Sequence, residues 1–202
     1  AERFGWQARQ ARPGMRREGE WLVGMGCATA TYPYYRMPGG AARMTMYQDG
    51  RVLVEVAAHE MGMGTATVHA QVTAARLGLP MERVTVAYGD STMPGVVLAG
   101  GSQQTASVGI AIHAAHKALV AELLALASRE SPLGGLKADE VRARDGGLCK
   151  ADDPERFERY ADLLARSGRD QIEVTAKAPL PLEAQHWAMH SYGAIFCEAR
   201  VN

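Results

Sequence analysis

Between His59 and Ala115 the chain reads HEMGMGTATVHAQVTAARLGLPMERVTVAYGDSTMPGVVLAGGSQQTASVGIAIHAA, and no other stretch restricts the fold as much. It holds two glycine-marked turns, each leading straight into a helical pattern, with a short β-branched strand between them. Gly62 and Gly64 precede a first helix, expected to stop near Leu77-Gly78 and to bury Val68, Val72 and Ala75. Gly100 and Gly101 precede a longer one, expected over Thr105 to Arg129, with Val108, Ile112, Ala115, Leu119, Leu123 and Leu126 along one face. A helix start leaves backbone N–H groups without intrahelical acceptors and carries about half an elementary positive charge. Glycine lets backbone approach oxygen atoms that a Cβ would hold off. Two such starts predict a ligand with negative charge, and Ser102, Gln103, Gln104, Thr105 and Ser107 add neutral donors at the second. The same residue types are ordinary turn and cap residues, so local composition leaves both readings open.

The flanks are simpler. Residues 1 to 20 mix five arginines with three glycines and a proline and read as a connector, with a short helix near Trp6 to Gln10. Trp21 to Thr31 is extended, and the proline-interrupted run YPYYRMPGG that follows is a loop. Ala41 to Tyr47 and Arg51 to Ala57 flank Asp49-Gly50 and predict a β-hairpin. Arg83 to Tyr88 is the strand between the two helices. Beyond Ser131-Pro132, a second Asp-Gly turn at Asp145-Gly146 predicts another hairpin. Pro154 to Ser167 reads as a short amphipathic helix with Phe157, Tyr160, Leu163 and Leu164 inward. Ile172 to Ala176 and His190 to Val201 are further strands. The expected fold class is therefore α+β, mixed sheets covered by two principal helices. Residues 21–202 are expected to form one unit with an excursion at about 131–185, cut from a longer chain.

Bulk properties narrow the function classes. A chain of 202 residues with 47% hydrophobic and 22% charged residues can build a core. Its 22 basic and 22 acidic residues cancel, so no global field favours nucleic acid, and an anion would have to be held by local donors. Cys27, Cys149 and Cys197 are too few and too scattered for a disulfide framework or an iron–sulfur site, and a reducing, cytoplasmic setting is expected ahead of a periplasmic one. No run approaches the roughly 20 apolar residues of a membrane span.

Several site types are poor matches. Gly62-Met63-Gly64 lacks the third glycine of a Rossmann fingerprint, and neither glycine turn is followed by a P-loop lysine. His113 with His116, and His186 with His190, have helical spacing but no third zinc ligand nearby. Ser102 lies outside a G-x-S-x-G context. Glu60 beside Gly62 is read as hydrogen-bonded to turn backbone, and Asp90 as a loop acceptor beside Ser91 and Thr92.

The motifs taken together resemble the molybdenum-binding large subunit of the xanthine dehydrogenase and aldehyde oxidoreductase family. The resemblance runs through His59-Glu60-Met61-Gly62-Met63-Gly64 with Thr67 and Gln71, Gly89-Asp90-Ser91-Thr92, and Gly100-Gly101-Ser102-Gln103-Gln104-Thr105-Ala106-Ser107 with Gly109. Gly24-Met25-Gly26 and the final Ser191 to Val201 extend it over nearly the whole chain. It implies that Gly62, Met63, Gly64 and Thr67 approach the pterin end of a molybdopterin dinucleotide, in its cytosine form. It likewise implies that Gly101, Ser102, Gln103, Gln104, Thr105, Ser107 and Gly109 surround pyrophosphate and pterin oxygens. The metal would be held by the cofactor's dithiolene, so no protein metal ligand is expected. The family hydroxylates aldehydes or aromatic heterocycles with oxygen from water, passing electrons to iron–sulfur and FAD centres on partner subunits. Its catalytic glutamate lies in a downstream motif absent from residues 1–202, so no catalytic residue is assigned and the fragment alone is expected to be inactive. Met63 stands where glutamine is usual in the family, and a thioether cannot donate as an amide does. A non-catalytic anion-binding module and a purely structural fragment are the competing expectations.

Overall fold

The computed structural model describes residues 1–202, which divide into two units: Ala1–Tyr34 with Glu183–Asn202, and Tyr35–Leu182. These boundaries differ from the expected connector at 1–20 followed by a single unit, because residues distant in sequence pair as strands.

In the first unit β2 (Trp21–Pro33) and β10 (His190–Val201) form an antiparallel ribbon in continuous register from Leu22↔Val201 to Pro33↔His190, with β1 (Arg17–Glu18) added beside β2. Ala1 to Arg9 forms short helical turns whose Phe4 and Trp6 rings pack on Phe196, each at 5.4 Å. Arg16 and Arg200 meet Glu18 and Glu198 in a network of ion pairs across the strands.

The second unit holds the main core. Its four-stranded sheet has the order β5-β4-β3-β9, from β3 (Ala41–Tyr47), β4 (Val52–Glu55), β5 (Val84–Ala87) and β9 (Gln171–Lys177). The hairpin β3–β4 turns at Asp49-Gly50 as the sequence predicts, Asp49 accepting the Arg51 backbone N–H at 3.0 Å. Its neighbour β5 is parallel to β4, which demands a crossover, and α1 (Thr65–Leu77) supplies it. The strand β9 closes the other edge on β3, so part of the expected excursion is integral to the sheet.

Helix α2 (Gln104–Leu126) lies against β3 and β9 and buries Val108, Ala111, Ile112, Ala115, Leu119 and Leu123 completely. By length and composition it could cross a membrane, but its apolar face is the core's centre. For α1 the expected face is wrong at two of its three positions, Val72 being half-buried. Val68 is exposed and Ala75 outward, while Thr65, His69, Thr73 and Leu77, with Ala70 and Ala74, face inward. The small alanines allow close packing, and His69 finds partners that hydrophobic periodicity cannot register. At Gly78, φ is +57° and a Cβ would lie 2.7 Å from Arg144 backbone, so glycine both ends α1 and lets the next hairpin abut it.

That hairpin belongs to a three-stranded sheet of β6 (Val141–Arg144), β7 (Gly147–Lys150) and β8 (Asp153–Arg159). The helix expected over Pro154 to Ser167 is thus only half right. Asp153–Arg159 pairs with β7, Phe157 opposite Cys149, and α3 (Tyr160–Arg166) begins after it, burying Tyr160, Leu163 and Leu164. The exposed edge of β7 offered backbone hydrogen bonds that a local amphipathic pattern does not reveal.

Candidate functional site

At the start of α1 the chain caps itself. The Glu60 carboxylate accepts the N–H groups of Gly62 at 2.9 Å, Gly64 at 3.0 Å and Ala66 at 3.1 Å, together with the Thr65 hydroxyl at 3.0 Å. These donors, the Ala66 N–H foremost, pull its pKa down to about 2. Glu60 is therefore an ionised structural acceptor, as its position beside the glycines suggests. Donors read from sequence as open to a ligand are occupied by this internal anion. The glycines keep another property: φ is +98° at Gly62 and +75° at Gly64, and a Cβ on either would meet nothing within 4 Å. Their outer side faces open space. The Met63 side chain turns back, its Sδ accepting the Met61 N–H at 3.3 Å.

The start of α2 is built differently. Ser102 is left-handed at φ +52°, a conformation uncommon outside glycine, and Gln103 follows as N-cap residue without capping through its side chain. No acidic residue lies in the first turn. The fully buried Gln103 instead donates to the Leu98 carbonyl at 2.6 Å and accepts from the Ser107 hydroxyl at 2.5 Å. Ser107 in turn accepts the Met37 N–H at 2.9 Å. These two side chains hold the incoming loop on the helix. Gln104, 4% exposed, donates to the His59 carbonyl at 2.8 Å, while its Oε1 has no partner although buried.

Two hydrogen bonds join the glycine turns. One is Gln104 to the His59 carbonyl; in the other, His69 Nε2 of α1 donates to the Thr105 carbonyl of α2 at 3.2 Å. A carbonyl only accepts, so Nε2 carries the imidazole proton and Nδ1 accepts the Tyr88 hydroxyl. Burial lowers the His69 pKa and raises that of Tyr88 to about 12, keeping both neutral. His69 and Tyr88 escape a reading of the sequence for ligands, yet they set the spacing of the turns. The signal for His69 was the four-residue repeat Thr65, His69, Thr73, Leu77.

The residues singled out from sequence thus separate by exposure. Gly62, Met63, Gly64, Thr67, Gly101, Ser102 and Thr105 face outward, Gly109 is half-buried, and Gln103, Gln104 and Ser107 are internal. A cleft of about 320 Å³ adjoins them, lined by His59, Gly89, Asp90, Ser91, Val96 and Leu98, though none of them forms its wall. Asp90 accepts from the Thr92 backbone and hydroxyl, a loop acceptor as expected. No group of three or more His, Cys, Asp or Glu side chains is placed to hold a metal.

Over 101 residues, half of this chain, the sequence is 43% identical to the aldehyde oxidoreductase molybdenum-binding subunit PaoC of Escherichia coli K12. Over 87 residues, 41% of the chain, it is 34% identical to the putative xanthine dehydrogenase molybdenum-binding subunit XdhA of the same strain. The chain spans 14% of the first relative's length and 11% of the second's. Among solved structures, CO dehydrogenase from Oligotropha carboxidovorans superposes with a TM-score of 0.71 at 19% identity, over 90% of this chain and 24% of that one, a likeness of fold. The molybdopterin cofactor-binding domain model matches residues 1–202, and the chain belongs to that family.

Proposed function

We propose that this chain is the part of a molybdenum hydroxylase large subunit that grips a molybdopterin dinucleotide, in its cytosine form, across the two glycine turns. The observation carrying this reading is the double tie between the turns, Gln104 to His59 and His69 to Thr105, which makes two separated motifs one surface. The residues fit the group in two ways. The outer faces of Gly62 and Gly64 have room for a ligand where a side chain would stand. The buried Gln104 Oε1 is an acceptor awaiting a donor of the kind a pterin N–H provides. Glu60 satisfies the first turn of α1, so negative charge on the ligand is better accommodated at α2, from Gly101 to Thr105.

In this reading Thr67, Met63 and the glycines flank the pterin end, Ser102 and Thr105 offer donors to pyrophosphate, and Gly109 leaves space along α2. Gln103 and Ser107 act as supports holding that turn in place. When bound, the cofactor supplies the two-electron oxidation of an aldehyde or aromatic heterocycle with oxygen from water. The chain's residues orient it and leave the chemistry to the metal. Iron–sulfur and flavin subunits would be the partners, in the cytoplasm, a setting that suits three free cysteines.

Reconstitution of the chain with molybdopterin cytosine dinucleotide, followed by amide hydrogen exchange, tests the reading. Protection is expected at Gly62 to Gly64 and Gly101 to Thr105. Binding that leaves both segments unprotected, or no binding at all, would reject it.

A further inference from the structure

At the far end of α1 from Gly64, twelve helical residues or about 18 Å away, a second concavity gathers positive charge. Arg76 from the last turn of α1, His113, His116 and Lys117 from α2, and Arg142 from β6 line a cleft of about 420 Å³ over an apolar floor that includes Val120 and Leu148. No aspartate or glutamate lies in its wall. Arg76, Lys117 and Arg142 take part in none of the chain's ion pairs. Two of the acids near Arg142 in sequence are engaged elsewhere: Glu140 accepts the Lys137 N–H at 2.9 Å, and Asp145 pairs with Arg144.

The two histidines belong to this same wall. Their rings stack at 6.2 Å with an interplanar angle of 13°, and His116 Nε2 donates to the Arg76 carbonyl at 3.0 Å. Burial, and then the positive charges of Arg76 and Lys117, push both imidazoles towards neutrality, His116 down to about 4. Both Nδ1 atoms are buried without a partner. A metal would be repelled by three neighbouring cations and would lack a third ligand. An oxyanion would be attracted by the same three groups, and a concavity concentrates their field.

We propose that this cleft is a binding site for a phosphate-type oxyanion, free or carried on a small molecule, held by Arg76, Lys117 and Arg142. The site shares no residue with the dinucleotide surface and stands whether or not that reading holds.

The test is a titration of the full chain at low ionic strength with inorganic phosphate and with glycerol phosphate, read from the imidazole NMR signals of His113 and His116. Saturable shifts are expected with both probes, with the His113 pKa moving upward as the anion offsets its cationic neighbours. The double variant Lys117→Gln, Arg142→Gln, both exposed positions, is expected to bind about tenfold or more weakly with an unchanged melting temperature. Equal affinity for the two probes identifies the free anion as sufficient. A preference for glycerol phosphate identifies a phosphate carried on an organic group. Shifts that stay linear in phosphate, or affinity unaltered in the double variant, would overturn the proposal. So would phosphate-induced shifts confined to Gly101 to Ser107, which would place the anion at the other surface. A response to an acidic peptide but to neither phosphate probe would also overturn it, leaving a protein-docking patch.

Discussion

The Glu60 carboxylate accepts the Ala66 backbone N–H at 3.1 Å, and so the first turn of α1 carries a negative charge supplied by its own chain. The two helix starts, alike in sequence, are thereby made unlike. One is already neutralised, and the other has neither a side-chain cap nor an acid in its first turn. In the proposed reading, negative ligand charge therefore falls to α2.

This arrangement has an acid signature. The Glu60 pKa is lowered from an ordinary 4.5 to about 2. A depressed carboxylate contributes stability that is complete above 4.5 and is lost as pH falls through about 2. Glu60→Gln is expected to flatten that part of the stability profile and to lower Tm at neutral pH by about 2–4 °C. Thermal melts of both proteins between pH 2 and 7 check it, and identical acid limbs would contradict the capping role.

His69 makes the opposite ion the unwelcome one. Burial lowers its pKa below 6.5, so the unfolded chain binds the proton more readily. Its contribution is present in full above 6.5 and diminishes as pH falls towards the folded pKa. His69→Ala is expected to cost about 2–4 kcal/mol, since it opens a cavity and strips the Tyr88 hydroxyl and Thr105 carbonyl of a partner. Urea unfolding at pH 7.5 measures the loss, and a change below about 0.5 kcal/mol would show the network to be dispensable.

Gln103 is a support whose removal should be felt twice. Gln103→Leu leaves the Leu98 carbonyl without its donor and the Ser107 hydroxyl without its acceptor, an expected loss of about 1–3 kcal/mol. Hydrogen exchange should then show faster opening from Leu98 to Ser107, with the sheet amides of β3 unchanged.

Gly78 is constrained by space as well as by φ. An alanine there must adopt a left-handed conformation and press its Cβ on Arg144 backbone at 2.7 Å. Gly78→Ala is expected to destabilise by more than the roughly 1–2 kcal/mol of the conformation alone. Gly50→Ala, left-handed but with open space around it, should cost only that smaller amount, and parallel denaturation curves distinguish the two.

Much of this was legible locally. The Asp49-Gly50 hairpin, the end of α1 at Gly78 and the buried row Val108, Ile112, Ala115, Leu119 and Leu123 follow from turn chemistry and helical period. Residues outside those rules went astray. Asp153 to Arg159 looked helical because Phe157 and Tyr160 are spaced for it, but β7 supplied a hydrogen-bonding edge. The inward face of α1 was misread because His69 and Thr65 are polar, and their partners come from Tyr88, Thr105 and Glu60.

The sequence by itself determined the family, the order of the elements and the two glycine turns, since these depend on short-range spacing and backbone preference. Only the tertiary structure decided that the turns adjoin, that Glu60 fills one helix start, that Gln103 supports while Gln104 keeps a bare oxygen, and that three unpaired cations share a cleft. Each of these outcomes is a contact between residues far apart in the chain, and burial sets its strength, which no local pattern encodes.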